Sequence, residues 1–245
     1  MSSNKATSAK TWCIAAAMPG EIAAVQRLAL PNISYLITGV GTRNAERAAL
    51  QAISQSSFDA LLHIGFAGAL SPALAVGDIL FANAVAGPHE VRIDLGSPRV
   101  AEKTHIGGVN VRVGTFVTRD RVLTTSQDKR EVAATLRQGS LGCADMESAP
   151  VARICAEHGI SYMGLRCITD TLDEDLPLDL NACRDQSGNI ATGRVIWALA
   201  RKPTALPGLM ELRRRAHSCA AILARVISEL LKPLPSGETD LGNRA

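Results

Sequence analysis

The chain has 245 residues, 47% hydrophobic and 20% charged, which supplies one sizeable core and excludes a disordered polymer. Aromatic residues reach only 3% and the formal net charge is +3, so base-stacking platforms and a polyanion partner are both unexpected. Nucleic acid is therefore excluded as the expected partner, while an anionic small molecule meets no electrostatic barrier.

The first ten residues are polar, and the apolar run from Trp12 to Met18 breaks at Pro19-Gly20, too short for a signal segment. No later stretch reaches spanning length, so a cytoplasmic protein without an integral membrane segment is expected. Short apolar runs then alternate with segments of helical period, the pattern of an α/β fold around a mostly buried sheet. Strands are predicted over Trp12–Ala17, Tyr35–Thr38, Ala60–Ile64, Asp78–Ala86, Val111–Val117 and Tyr162–Ile168, with a short segment at Leu141–Cys143. Helices are predicted over Glu21–Leu28, Arg43–Ser54, Ser126–Arg137 and Pro150–His158, the last capped by Ser148 and stopped by Gly159. Apolar residues at 209, 212, 216, 219, 223, 226 and 230 step by three and four, predicting a long amphipathic helix that packs on the sheet or on a second subunit. Attachment of that helix to a membrane surface is the lesser alternative. One domain over residues 11–232 is expected, with flexible ends at 1–10 and 233–245.

Six cysteines lie in apolar stretches with no C-x-x-C pair, so they read as reduced, buried small hydrophobes, and no metal is implied. Gly39-Val40-Gly41 follows a strand and precedes a helix, but Asn44 replaces the third glycine of a dinucleotide fingerprint. What remains is a set of carboxylates at strand ends, where ligands of α/β sheets sit. Glu21 follows the first strand, Asp145 and Glu147 stand between the Leu141–Cys143 segment and a helix, and Asp170 closes the strand ending at Ile168. By position alone Glu21 could be a solvated first-turn acid and Asp145 a cap. Asp170 is harder to dismiss, since it ends a strongly apolar strand.

The ordered segments Ala17-Met18-Pro19-Gly20-Glu21, Thr38-Gly39-Val40-Gly41, His63-Ile64-Gly65-Phe66-Ala67-Gly68-Ala69-Leu70, Val76-Gly77-Asp78-Ile79, Asp145-Met146-Glu147-Ser148 and Ile168-Thr169-Asp170 resemble the nucleoside phosphorylase and methylthioadenosine/S-adenosylhomocysteine nucleosidase superfamily. The resemblance covers nearly the whole domain. It implies a single-domain three-layer sandwich, a mixed twisted sheet flanked by helices, and a homo-oligomeric enzyme that cleaves the N-glycosidic bond of a purine nucleoside. Asp170 matches the acid that protonates purine N7, and Glu147 the carboxylate that accepts ribose hydroxyls. Glu21 matches the group that helps activate the attacking water. Met146 is implied to pack on the sugar, and Asp145, Phe66, Ala67 and Gly68 to line the substrate.

Related purine phosphorylases offer phosphate an arginine and a small hydroxyl where this chain has His63 and Phe66. Gly41, Thr42 and Arg43, at a helix start, are the alternative phosphate ligands; the acceptor is water or phosphate, phosphate being a co-substrate in the second case, and no cofactor is implied. The stretch from Asp145, Asp170 with Leu176-Pro177, and the tail Gly193-Arg194-Val195 through Arg201-Lys202-Pro203 to Leu206-Pro207-Gly208-Leu209 resembles the hopanoid-associated phosphorylase branch. That branch implies adenosylhopane as substrate and adenine as product. A short connection from Gly87 to Val109 implies an open 5′ side, and the amphipathic tail suits a lipid group.

Overall fold

The computed structural model describes residues 11–88, 92–96, 105–185 and 191–231, so the ends expected to be flexible lie outside the described residues. In chain order the elements are β1 (Trp12–Ala16), α1 (Pro19–Gln26), β2 (Ile33–Ile37), α2 (Thr42–Gln55), β3 (Ala60–Ala69), β4 (Ile79–Ala86), β5 (Arg92–Asp94), β6 (His105–Ile106), β7 (Val109–Thr118), α3 (Ser126–Ala133), β8 (Gly142–Asp145), α4 (Ser148–Glu157), β9 (Ser161–Asp170), α5 (Thr192–Arg201), a 3-10 turn (Pro203–Ala205) and α6 (Leu206–Leu230).

Most of the apolar runs become buried strands paired on both sides, with β2 at an edge of the sheet. β1 lies between β2 and β3, all parallel, and β3 pairs in parallel with β9 along most of its length. β9 then pairs antiparallel with β4, β4 parallel with β7, and β7 parallel with β8. β8 returns to β3 through Gly68↔Ala144 and Ala69↔Cys143, so these five strands close a ring. The fold is the expected mixed α/β sheet between helices, with one end of the sheet rolled shut.

Side chains alternate across the pleat and divide the core. Along β1, Ile14 and Ala16 pack with Ile22 and Val25 of α1 and with Leu223, Val226 and Ile227 of α6. Cys13 and Ala15 face the other way, onto Ala45 and Ala49 of α2 and Val151, Ile154 and Cys155 of α4. The long C-terminal helix therefore covers the sheet with its second half. Its first turns, with α5, expose Ile196, Trp197, Leu206 and Met210.

Several strands run further than their apolar cores predict. β3 passes Gly65 and Gly68 to reach Ala69, and β9 takes in Thr169 and Asp170. Ser148 is the first residue of α4 rather than its cap, the cap position being Glu147. α5 is an additional helix that its sequence did not announce, because it begins at Thr192-Gly193 with no side-chain cap.

Candidate active site

The carboxyl ends of β1, β3, β8 and β9 meet on one side of the sheet; β1, β8 and β9 lead into acids, and β3 gives them backbone and space. Glu21, third residue of α1, reaches back so that its Oε2 accepts the Met18 amide at 2.8 Å, while its Oε1 accepts the Phe66 amide of β3 at 3.1 Å. It is buried, at 4% exposure, so the solvated first-turn acid is ruled out. Burial pushes its carboxyl above the ordinary range, with the Met18 amide and then the Arg166 charge opposing. Gly65 makes room for it, since a Cβ there would lie 3.1 Å from Oε1.

Glu147 is buried too. Its Oε1 accepts the Gly41 amide at 2.7 Å and its Oε2 the Met146 amide at 3.3 Å. Burial pushes its carboxyl up to about 8, and the negative charge of Asp145 adds to the rise. Met146 is buried beside it.

Asp145 corrects the sequence expectation. Its side chain points into the protein, where Oδ2 takes Arg166 Nη2 at 2.8 Å and Nε at 3.1 Å, and also the Ser148 hydroxyl. Its Oδ1 accepts the Thr118 hydroxyl at 2.8 Å. With both oxygens engaged, Asp145 has no lone pair aimed at a ligand, and its place is under the site rather than in it. Arg166 spends five N–H groups here: Nε and one Nη2 hydrogen on Asp145, the other on Ser148 Oγ, and Nη1 on the carbonyls of His63 and Leu165. At 1% exposure it is the cation that balances Asp145, Glu147 and Glu21 from below. A charge inside Gly164-Leu165-Arg166-Cys167-Ile168 was the readable signal, because a buried strand cannot carry an unpaired arginine.

Asp170 ends β9 at 6% exposure, with Oδ1 accepting the Thr169 hydroxyl at 2.8 Å. Lys129 Nζ lies 2.6 Å from Oδ2 and also donates to the carbonyls of Thr171 at 2.8 Å and Glu174 at 2.7 Å. Lys129 is itself 1% exposed. Sequence reasoning missed it because it sits in a polar helix, where a lysine ordinarily reaches water. Gly68 presses against the same carboxyl, and a Cβ there would lie 2.9 Å from Oδ2.

Phe66 enters the site through its amide and packs its ring against the α1 and α6 side of the core. Ala67 contributes its carbonyl, which accepts the Thr169 hydroxyl at 3.3 Å. His63 is fully buried, with Nδ1 3.3 Å from the Tyr162 hydroxyl. Burial and the Arg166 charge hold it well below its ordinary pKa. The residues expected to cradle phosphate are differently employed. The Gly41 amide serves Glu147, and the Thr42 hydroxyl donates to Asp120 Oδ1 at 3.0 Å. Arg43 stands exposed on a cavity of about 880 Å³ that Arg47, Asp120, Arg121 and Arg184 also line. Among the described residues there is no cluster of side chains that could hold a metal ion, and no helix is long and apolar enough to cross a membrane.

The sequence pattern of the phosphorylase superfamily matches residues 27–199, more than half of the chain. A 5′-methylthioadenosine/S-adenosylhomocysteine nucleosidase from Exiguobacterium is 24% identical over 193 residues, spanning 70% of this chain and 81% of the relative. A DeoD-type purine nucleoside phosphorylase from Streptococcus pyogenes is 27% identical over 158 residues, or 58% and 65% of the two chains. The crystal structure of the 5′-methylthioadenosine/S-adenosylhomocysteine nucleosidase from Neisseria meningitidis, in complex with methylthio-immucillin-A, shares the fold. It superposes with a TM-score of 0.68 at 19% identity, covering 92% of this chain and all of that one. On the extent of the family match, this chain belongs to the phosphorylase superfamily.

Proposed function

We propose that the protein cleaves the N-glycosidic bond of a purine nucleoside carrying a 5′ substituent and releases adenine. The observation that carries this reading is the gathering of Glu21, Glu147 and Asp170, all buried, around the carboxyl end of β3. Asp170 passes a proton to purine N7 as the bond to the sugar breaks, which makes the base a competent leaving group. Glu147 accepts ribose hydroxyls, and its attraction strengthens as the sugar becomes cationic. Glu21, an acceptor held by two amides, takes the proton of the attacking nucleophile. Asp145 and Arg166 set the position of the acid-bearing loops without touching substrate.

Water is the acceptor that the geometry favours. A phosphate at Gly41 and Thr42 would compete with Glu147 for the amide and with Asp120 for the hydroxyl, and would meet two carboxylates in doing so.

The 5′ group we assign is the hopane of adenosylhopane. Support comes from the tail resemblance and from the exposed Ile196, Trp197, Leu206 and Met210 near Arg194, Arg201 and Lys202, a composition suited to lying against an anionic lipid surface. Of the Gly87 to Val109 connection, residues 89–91 and 97–104 lie outside the described residues. One observation favours a second reading, a methylthioadenosine/S-adenosylhomocysteine-type nucleosidase. The cavity adjoining Gly41 is lined by Arg43, Arg47, Asp120, Arg121 and Arg184 and would suit a polar substituent.

The test is to incubate the purified protein with adenosine, 5′-methylthioadenosine, S-adenosylhomocysteine and adenosylhopane, with and without phosphate, and to follow free adenine. Release that is indifferent to phosphate and fastest from adenosylhopane is expected. Fastest release from either of the sulfur nucleosides would transfer the assignment to the second reading, and no release from any of them would end the enzyme reading.

A further inference from the structure

A general acid must hold a proton before it can give one, yet the Asp170 carboxyl is arranged as an acceptor. Lys129 Nζ contacts Oδ2 at 2.6 Å, and the Thr169 hydroxyl donates to Oδ1 at 2.8 Å. The lysine is almost wholly buried, its three donors spent on Asp170 Oδ2 and the carbonyls of Thr171 and Glu174, so its ammonium is fixed in direction as well as in place. Both members of the pair are shielded from bulk water, which leaves Lys129 as the nearest acidic hydrogen to the Asp170 oxygen.

We propose that Lys129 is the proton reserve for Asp170, so that the acid of this site is a two-residue unit. The inference rests on the nucleoside-cleaving reading above. As the glycosidic electron pair moves onto the purine, an N7–H bond forms and the Asp170 O–H bond breaks. The Asp170 O–H bond is itself made by transfer from Lys129, whose N–H bond breaks. Water delivers hydroxide to the sugar carbon and leaves its proton on Glu21. Lys129 ends the turnover neutral and Glu21 protonated, and solvent restores both once the products leave. Lys129 touches Asp170 and two carbonyls rather than the base, so it is a positioning residue that acts through the acid.

The arginine variant separates proton supply from mere charge. Arginine keeps the cation and its donors but does not give up a proton in proteins, whereas methionine removes both. Lys129→Arg and Lys129→Met are compared with wild type on the nucleoside that the wild type cleaves fastest and on 4-nitrophenyl β-D-ribofuranoside, whose leaving group departs without protonation. Adenine binding by calorimetry checks that each variant keeps its pocket; Lys129→Gln takes the place of Lys129→Met if that one does not, and the two-substrate comparison on the uncharged variant decides if Lys129→Arg does not. Both substitutions are expected to lower nucleoside turnover by about 100-fold or more, within the range of general acid catalysis, and to cost the nitrophenyl riboside at least tenfold less. A Lys129→Arg enzyme within about tenfold of wild type on the nucleoside, or equal losses on the two substrates, overturns the proposal; the nucleoside arm decides alone if the riboside is not cleaved. A wild type that frees no base from any nucleoside removes the function reading and this inference together, an outcome distinct from an active wild type with an indifferent Lys129.

Discussion

Glu147 and Asp170 are buried to nearly the same degree, at 8% and 6% exposure, at the ends of the two strands that carry the site, but their surroundings are opposite. Glu147 is met by two backbone amides, with Asp145 and Glu21 adding negative potential, and its carboxyl rises to about 8. Asp170 is met by an ammonium and a hydroxyl. Burial alone therefore does not set the work of an acid. The partner decides, and under the proposed function the two environments suit a clamp for a sugar gaining positive charge at Glu147 and a proton donor at Asp170.

The contrast breaks most severely at Asp170. Asp170→Asn keeps the shape and removes the proton, so turnover should fall by about 10² to 10⁴ with the fold intact, measured by adenine release and circular dichroism. Near-normal release would take the acid role away from this residue. Next in size is Asp145→Ala, which strands Arg166 as a buried charge without its carboxylate. A loss of about 3–5 kcal/mol in denaturant unfolding is expected, and an unchanged midpoint would show that Arg166 finds water or another partner.

Gly68→Ala sharpens the comparison from the side of position. A Cβ 2.9 Å from Asp170 Oδ2 must displace the acid, which should lower turnover by about 10- to 100-fold while adenine binding changes little. The mildest effect is on stability. The folded carboxyl of Glu147 is raised, so its contribution is fully present below the ordinary carboxylate range and is lost as pH rises through about 8. Glu147→Gln should therefore gain stability on wild type between pH 5 and about 9, as read by melting temperature, and parallel curves for the two proteins would contradict the raised carboxyl.

Much of this arrangement was legible before any coordinates. The apolar runs and their spacing gave the strands, and the order of short motifs gave the family and the three acids that the structure gathers. Strand ends were less legible for a physical reason. Gly65 and Gly68 look like breakers in a one-dimensional reading, but in β3 they are the gaps through which Glu21 and Asp170 approach the strand. The destination of a long side chain was not legible at all in α3. Lys129 has polar neighbours in sequence, and only the packing of that helix against the loop after β9 takes it out of water. Arg166 is the reverse case: its apolar flanks carried a signal for a buried counter-charge that went unread, and Asp145 supplies it.

The closure of β3, β9, β4, β7 and β8 into a ring has a consequence for motion. From Leu165 to Cys167, β9 is hydrogen-bonded to β3 on one side and to β4 on the other, so over that stretch it has no free edge from which to fray. Its amides should be among the last in the molecule to exchange with deuterated solvent, opening only when the whole ring opens. Asp170, three residues beyond the doubly paired stretch, is thereby tied to a part of the sheet expected to exchange slowly.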